Sequence, residues 1–205
     1  MKLNPKFITL EGVDGAGKST CIKFIKKYLT DKNHNSFFTR EPGGTLLGEK
    51  LREILLHDEI TPETETLLMF AARNEHVQQV ITPNLQSGIN VISDRFTDAT
   101  YAYQSGGKYV DSKKITVLKN WVHVNLKPDL TLLFDLPIDV SLTRLKSNGN
   151  LDKFEKESSD FHKRIRNSYL DLAKKEPSRF KIIDSNQNIN IIEKEIYLVL
   201  DKLFS

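Results

Sequence analysis

The chain has 205 residues, a net charge of only +3, 39% hydrophobic and 28% charged residues, and a single cysteine, Cys21. That length suits one domain, 1–205, with a substantial core; so small a charge, with bases and acids interleaved, argues against a nucleic-acid partner. One cysteine excludes an internal disulfide, the histidines show no metal-ligand spacing, and no apolar run reaches the length of a membrane span or signal peptide, so the expected setting is cytoplasmic.

Lys6 to Leu10 is a short apolar run of the kind found in buried parallel strands. Gly12-Val13-Asp14-Gly15-Ala16-Gly17-Lys18-Ser19 follows it and fits G-x-x-x-x-G-K-[ST] at every fixed position, with Thr20 next. The spacing has a physical reason. Glycines let the backbone wrap so that successive N–H groups point at phosphate oxygens. Lys18 then reaches the β- and γ-phosphates, and the Ser19 hydroxyl can ligate Mg²⁺. Cys21, Ile22, Phe24, Ile25, Tyr28 and Leu29 recur at helical spacing, with Lys23, Lys26 and Lys27 outward. The following helix adds the positive end of its dipole. Strand, glycine loop and helix make a nucleotide phosphate site.

Ser36 to Thr39 reads as a second strand, closed by Arg40-Glu41-Pro42-Gly43-Gly44. Leu46 to Leu56 reads as a helix. Thr61-Pro62 looks like an N-cap with proline in the first turn, opening a helix that runs to Ser87 with a kink at Pro83 and a stop at Gly88. Ile89 to Ser93 is a third strand, ending at Asp94-Arg95. Ile115 to Val124 is helical, and Leu130 to Phe134 is a fourth strand. Helices near Val140–Leu145 and Phe161–Lys174 flank a polar stretch. Lys181 to Ile183 is a fifth strand, and Ile191 to Leu203 a closing amphipathic helix.

Five strands alternating with helices predict a parallel sheet covered on both faces, an α/β three-layer phosphate-loop NTPase fold with a short lid at about 147–159. Ligands in such sheets sit beyond the carboxyl ends of the strands. Those ends are charged here: Glu11, Arg40-Glu41, Asp94-Arg95, Asp135 and Asp184. A switch GTPase would need guanine-reading motifs, and a transporter ATPase its own signature; neither is present. A kinase for a phosphorylated metabolite needs cations beside the acceptor phosphate. Arg95 suits that, because guanidinium binds phosphate oxygens bidentately. Asp94 can bind Mg²⁺ directly or through water. Phe70 and Arg73 lie three apart on one helix and share a face. On the residues alone, a nucleotide-binding regulatory protein without turnover stays open, as does a kinase for another monophosphate.

The residues together resemble the bacterial thymidylate kinase family over nearly the whole chain. Besides the phosphate loop, the similarity rests on Thr39-Arg40-Glu41-Pro42-Gly43-Gly44-Thr45, Asp94-Arg95-Phe96, Ala102-Tyr103-Gln104, Lys127-Pro128-Asp129-Leu130-Thr131 and Leu151-Asp152-Lys153-Phe154-Glu155. The resemblance implies γ-phosphoryl transfer from ATP to dTMP, giving dTDP, with Mg²⁺ required and a homodimer as the usual assembly. It places Asp14 at the deoxyribose 3′-hydroxyl, Arg95 at the dTMP phosphate, and Phe70 against thymine. Arg73 and Thr100 then bond the base edge with a contribution from Gln104, and Tyr103 crowds the sugar 2′ position. The lid departs from the pattern: Asn148 and Asn150 stand where relatives carry arginine, and Lys153 follows the lid aspartate. Lys153 is therefore expected to supply the catalytic lid cation, with Arg144 nearer adenine.

Overall fold

The structure, a computed structural model, describes residues 4–147 and 151–205. Five parallel strands form one sheet: β1 (Phe7–Glu11), β2 (Ser36–Arg40), β3 (Asn90–Asp94), β4 (Leu130–Asp135) and β5 (Phe180–Asp184), in the spatial order β2-β3-β1-β4-β5. Each expected strand is present, shifted by at most a residue or two. The register sets Leu10 beside Asp94, Arg40 beside Asp94, and Asp135 beside Asp184. Parallel pairing thus collects the charged strand ends at one edge, which is where the chemistry must lie.

β1 is buried at all five positions, as a central strand covered on both faces should be. One core layer packs Ile8, Leu10 and Phe134 with helix residues such as Ile25, Ile165 and Ile196. A second joins Phe7, Val91 and Phe96 to Val77 and Ile81, with the Phe7 and Phe96 rings edge to face at 5.0 Å. At the opposite edge of the sheet, Asn90 and Asp129 accept hydrogen bonds from the Lys6 and Phe7 amides at 2.8 Å. The motif around Pro128 and Asp129 therefore serves the fold and not the site.

The helices follow the sequence expectation with two exceptions. α1 (Lys18–Asp31) and α2 (Leu46–His57) match, and α3 (Pro62–His76) starts on a Thr61 side-chain cap. The expected kink at Pro83 is replaced by a π-helical turn at Val77–Ile81, which leads into α4 (Thr82–Gln86). The Thr82 N–H bonds back to Val77 O, so the chain widens before the proline, whose missing donor then falls in the first turn of α4. Gly88 stops the helix with φ 78°.

The second exception is an element absent from the sequence expectation: α5 (Thr97–Thr100) continues as a π-helical turn, Tyr101–Gly107. Its glycines defeat a propensity argument, and tertiary packing explains it. A Cβ on Gly106 would lie 2.6 Å from the Ser168 Cβ, so only glycine lets this turn seat against the later helix. Beyond it run α6 (Ser112–His123), α7 (Ile138–Ser147), α8 (Ser159–Lys175) and α9 (Ile189–Phe204).

A buried ion network ties α5 to the sheet. Arg179 grips Asp98 through two bonds of 2.7 and 2.8 Å, donates to the Thr131 hydroxyl at 2.6 Å and to Glu176 at 3.0 Å. Removing one partner of a buried pair leaves an unpaired charge in low dielectric, a loss of about 3 kcal/mol or more. Arg179→Met should therefore lose about 3 kcal/mol in urea denaturation with an unchanged m-value. A loss below about 1 kcal/mol would show that the network contributes little to stability.

Candidate active site

The loop between β1 and α1 turns on glycines with positive φ: Gly12 at 139°, Gly15 at 76° and Gly17 at 87°. At Gly12 the need is steric as well, because a Cβ would collide with the Phe134 carbonyl. The Ser141 hydroxyl on α7 donates to Asp14 O at 2.7 Å and fixes the loop from the side. Lys18 is buried, its ammonium 3.2 Å from Gly12 O and 3.1 Å from Val13 O. Burial lowers its pKa and Arg95 pushes the same way, against Asp14, Asp94 and Glu11.

Two cavities meet over this edge. The first is lined by Asp14, Gly15, Gly17, Lys18, Ser19 and Thr20, with Asp94 and Arg144 across from them. Gly12, Val13 and Ala16 shape the loop from beneath. Asp94 Oδ1 is buried without a hydrogen-bond partner among the described residues, an acceptor beside Ser19 that suits a hard cation. No cluster of three acidic, His or Cys ligands exists among the described residues, so a cation here would keep several waters, as Mg²⁺ does. Arg144 donates to Gly15 O and Ser185 O, both at 3.3 Å, linking the loop to the chain beyond β5.

The second cavity is lined by Met69 and Arg73 of α3, by Thr100, Tyr103 and Gln104, and by Asp152 and Phe154 of the lid stretch. The cavities share Asp14, Glu41, Arg52 and Arg95. Arg95 is the hinge between them. It bonds Gly12 O at 3.0 Å, the Tyr169 hydroxyl at 3.1 Å and the Tyr103 hydroxyl at 2.9 Å, and it pairs with Asp14. Tyr103 donates in turn to Asp14 at 2.7 Å. Burial pushes the Asp14 carboxyl up, but Arg95, Lys18 and the Tyr103 hydrogen bond outweigh it and bring it to about 2.

Arg73 is buried beside the cavity. Its Nε donates to Glu41 at 2.7 Å and its Nη2 to Thr100 at 3.1 Å and Phe96 O at 3.3 Å, while Nη1 has no partner among the described residues. Glu41 also holds His76 at 2.9 Å. The Glu41-Pro42 bond is cis.

Two expected site residues sit away from the cavities in this structure. Phe70 does not line the cavity: it is buried with Val110 and Ile115, its ring 4.7 Å from the Arg73 guanidinium. The residue facing the cavity is Met69. At 3.6 residues per turn the neighbour four before Arg73 lies about 40° round the helix from it and the one three before about 60°, so Met69 shares its outlook better than Phe70. Lys153 does not reach the phosphate loop either. Its ammonium sits 2.9 Å from Asp58 O and 3.1 Å from Glu65, a fully buried carboxylate that demands cationic partners. The expectations for Asn148 and Asn150 lie outside the described residues. Sequence reading also missed Arg52, which donates to Pro42 O at 3.1 Å and lines both cavities; the only available signal was an arginine shortly after the Gly43-Gly44 loop.

The family model for thymidylate kinase matches residues 10–196. The chain belongs to the thymidylate kinase family. It is 54% identical over 191 residues to the thymidylate kinase of Methylobacillus flagellatus, covering 93% of this chain and 94% of that one. It is 50% identical over 204 residues to that of Neisseria meningitidis serogroup B, covering 98% and 99%. The crystal structure of thymidylate kinase from Ehrlichia chaffeensis superposes with a TM-score of 0.79 at 34% identity, over 97% of this chain and 99% of that one. Membership makes the chain a nucleotide-binding phosphotransferase of dTDP biosynthesis, with dTMP as the phosphoryl acceptor.

Glu11 backs the site from below. It accepts the Phe96 N–H at 2.7 Å and the Tyr169 hydroxyl at 2.8 Å. Burial pushes its pKa up to about 8, helped by Asp98 and opposed by Arg95 and both hydrogen bonds. The folded chain thus keeps a proton that the unfolded chain releases near pH 4.5. This contribution to stability is complete below that pH and lost as pH rises through about 8. The stability of Glu11→Gln relative to the parent should therefore increase between pH 5 and pH 9, by roughly 2–4 kcal/mol. A difference that stays flat with pH would mean that Glu11 is ionised in the fold.

Proposed function

We propose that the chain transfers the γ-phosphoryl of ATP to dTMP, ATP lying in the loop-lined cavity and dTMP in the cavity below the lid. The observation that carries this reading is the shared wall: Asp14, Glu41, Arg52 and Arg95 border both cavities, so donor and acceptor phosphates would meet beside two guanidinium groups. An acceptor that is already an anion needs no strong general base. Catalysis then consists of alignment and charge stabilisation.

In this reading Lys18 and the loop amides hold the β- and γ-phosphates, and Arg144 borders adenine. Ser19 and the Asp94 carboxylate would hold Mg²⁺, which would offset the negative charge of the phosphates. Arg95 grips the acceptor phosphate. Arg52, on the boundary, takes the catalytic cation role expected of Lys153. Arg73 Nη1 and Thr100 address the base carbonyl, Gln104 the neighbouring ring N–H, and Met69 supplies a polarisable platform for the ring. Asp14 accepts the 3′-hydroxyl, and Tyr103, fixed by Asp14 and Arg95, closes the 2′ side. The chain acts as a single kinase domain with its lid at 147–159.

A homodimer in the cytoplasm completes the proposal. Leu46, Leu47 and Ile54 on α2 and Leu67 on α3 are exposed, an apolar face suited to a second copy. No helix among the described residues is long and apolar enough to cross a membrane.

An ADP-release assay with ATP and Mg²⁺, offering dTMP, dUMP, UMP, AMP and GMP separately, tests the acceptor. Turnover should be strong with dTMP and at least about 100-fold weaker in kcat/KM with UMP, a loss of about 2.7 kcal/mol from the closed 2′ side; preference for another monophosphate would overturn the base-site roles. Arg52→Ala should lower kcat by about 100-fold, and Lys153→Ala by less than about threefold. The reverse ranking would return the catalytic cation to the lid. Met69→Ala should raise the KM for dTMP about tenfold with little change in kcat, as removal of uniform binding does.

A further inference from the structure

Glu65 is fully buried on α3, lines neither cavity, and joins α3 to the Tyr101–Gly107 turn and to the lid stretch. Gln104 Nε2 donates to one of its oxygens at 2.9 Å. Lys108 reaches the other at 2.9 Å and Lys153 at 3.1 Å. The same two ammonium groups flank the Phe154 ring of the lid, at 4.6 and 5.3 Å from its centroid. Two ammonium groups share one of its oxygens and the Gln104 amide nitrogen takes the other; toward all three the carboxylate is the acceptor.

That polarity decides which way the Gln104 amide faces. Its nitrogen must serve Glu65, which leaves the carbonyl oxygen as the group Gln104 can offer a ligand. Gln104 lines the acceptor cavity beside Arg73, whose Nη1 is a buried donor with no partner among the described residues. The pair is an acceptor next to a donor. It complements a pyrimidine that carries a ring N–H beside a carbonyl. It opposes cytosine, which shows an acceptor nitrogen and a donor amino group at the same two positions.

We propose that Glu65 is a positioning residue for base selection. It locks Gln104 with its carbonyl toward the base, and through Lys153 it seats the lid on the same carboxylate. Reading the base and closing the lid thus share one anchor. This rests on Gln104 being a base contact, as given under the proposed function.

The test compares kcat/KM for dTMP and dCMP in the full-length enzyme. Glu65→Gln can donate as well as accept, so the Gln104 amide becomes free to turn over. The dTMP-to-dCMP ratio should fall at least about tenfold, mostly through KM for dTMP, with kcat for dTMP changed less than about threefold. Gln104→Met should lower the ratio comparably, and adding Glu65→Gln to it should change the ratio no further. Lys153→Met, which spares the Gln104 contact, should raise KM for dTMP and leave the ratio alone. If Gln104→Met leaves the ratio intact, the base-contact reading fails and takes this proposal with it. If Gln104→Met lowers the ratio but Glu65→Gln changes it less than about twofold, only the role of Glu65 is overturned. A further fall on adding Glu65→Gln to Gln104→Met also overturns it, because Glu65 would then act by another route. Should Glu65→Gln fail to fold, Glu65→Asp, which keeps the charge but falls short of Gln104, must lower the ratio in the same sense; an unchanged ratio refutes the proposal.

Discussion

The site depends on how one guanidinium is held. Arg95 sits where β3 ends, in a left-handed conformation with φ 71°, a geometry that costs a residue with a Cβ roughly 1–2 kcal/mol. Its backbone is fixed regardless: its N–H bonds Leu10 O at 2.9 Å, and its carbonyl takes the Ser93 hydroxyl at 2.7 Å. The turn throws the side chain back over the phosphate loop. There Gly12 O, Asp14, Tyr103 and Tyr169 accept or share its protons. The strain is local, the compensation is spread over four segments, and the result is a cation with little freedom left to lose when an anion arrives.

The sheet makes that possible. Only parallel pairing in this register brings Glu11, Arg40 and Asp94 to one edge, and only the order β2-β3-β1 sets the phosphate loop directly beside the strand that delivers Arg95. The lid stretch is prepared in a different way. Asp152 Oδ1 accepts the Phe154 and Glu155 amides at 2.8 and 2.9 Å, and Glu155 returns a bond to the Asp152 amide at 3.0 Å. This reciprocal capping makes a self-contained turn. It needs only an anchor to dock Phe154 over the second cavity, and Glu65 is placed to be one.

What the sequence made legible is what backbone geometry and period enforce. The phosphate loop, the strand ends and the helix cap at Thr61 depend on residue types that few alternatives satisfy, and they are where the pattern put them. The misses share a cause: each was decided by packing between segments distant in sequence. Met69 and Phe70 are both apolar and adjacent, and spacing from Arg73 does not separate them; Val110 and Ile115, some forty residues on, claim Phe70 for the core. Lys153 looked like a phosphate cation because nothing local competes for it, and its competitor, Glu65, lies far off in sequence on α3. The π-helical turn at Tyr101–Gly107 reads as loop until its contact with α8 is known.

Three buried glutamates give the site a common logic. Glu11 holds Tyr169 and the Phe96 amide behind Arg95, Glu41 holds Arg73 and His76, and Glu65 holds Gln104 with two lysines. Glu41 and Glu65 each orient a side chain that lines the second cavity, and Glu11 orients the Tyr169 that supports Arg95. Burying such a group is unfavourable unless its partners satisfy it, so every one of them constrains its partners in return. The three are not electrostatically equivalent. Burial drives Glu11 toward its neutral form, whereas Arg73 and the His76 hydrogen bond overcome burial and hold Glu41 below the usual carboxylate range. A neutral Glu11 leaves Asp14 as the carboxylate paired with Arg95. Glu41 holds Arg73 through Nε and leaves Nη1 without a partner among the described residues. The distinction follows from what each carboxylate faces: Arg73 and His76 for Glu41, and both Asp98 and Arg95 for Glu11.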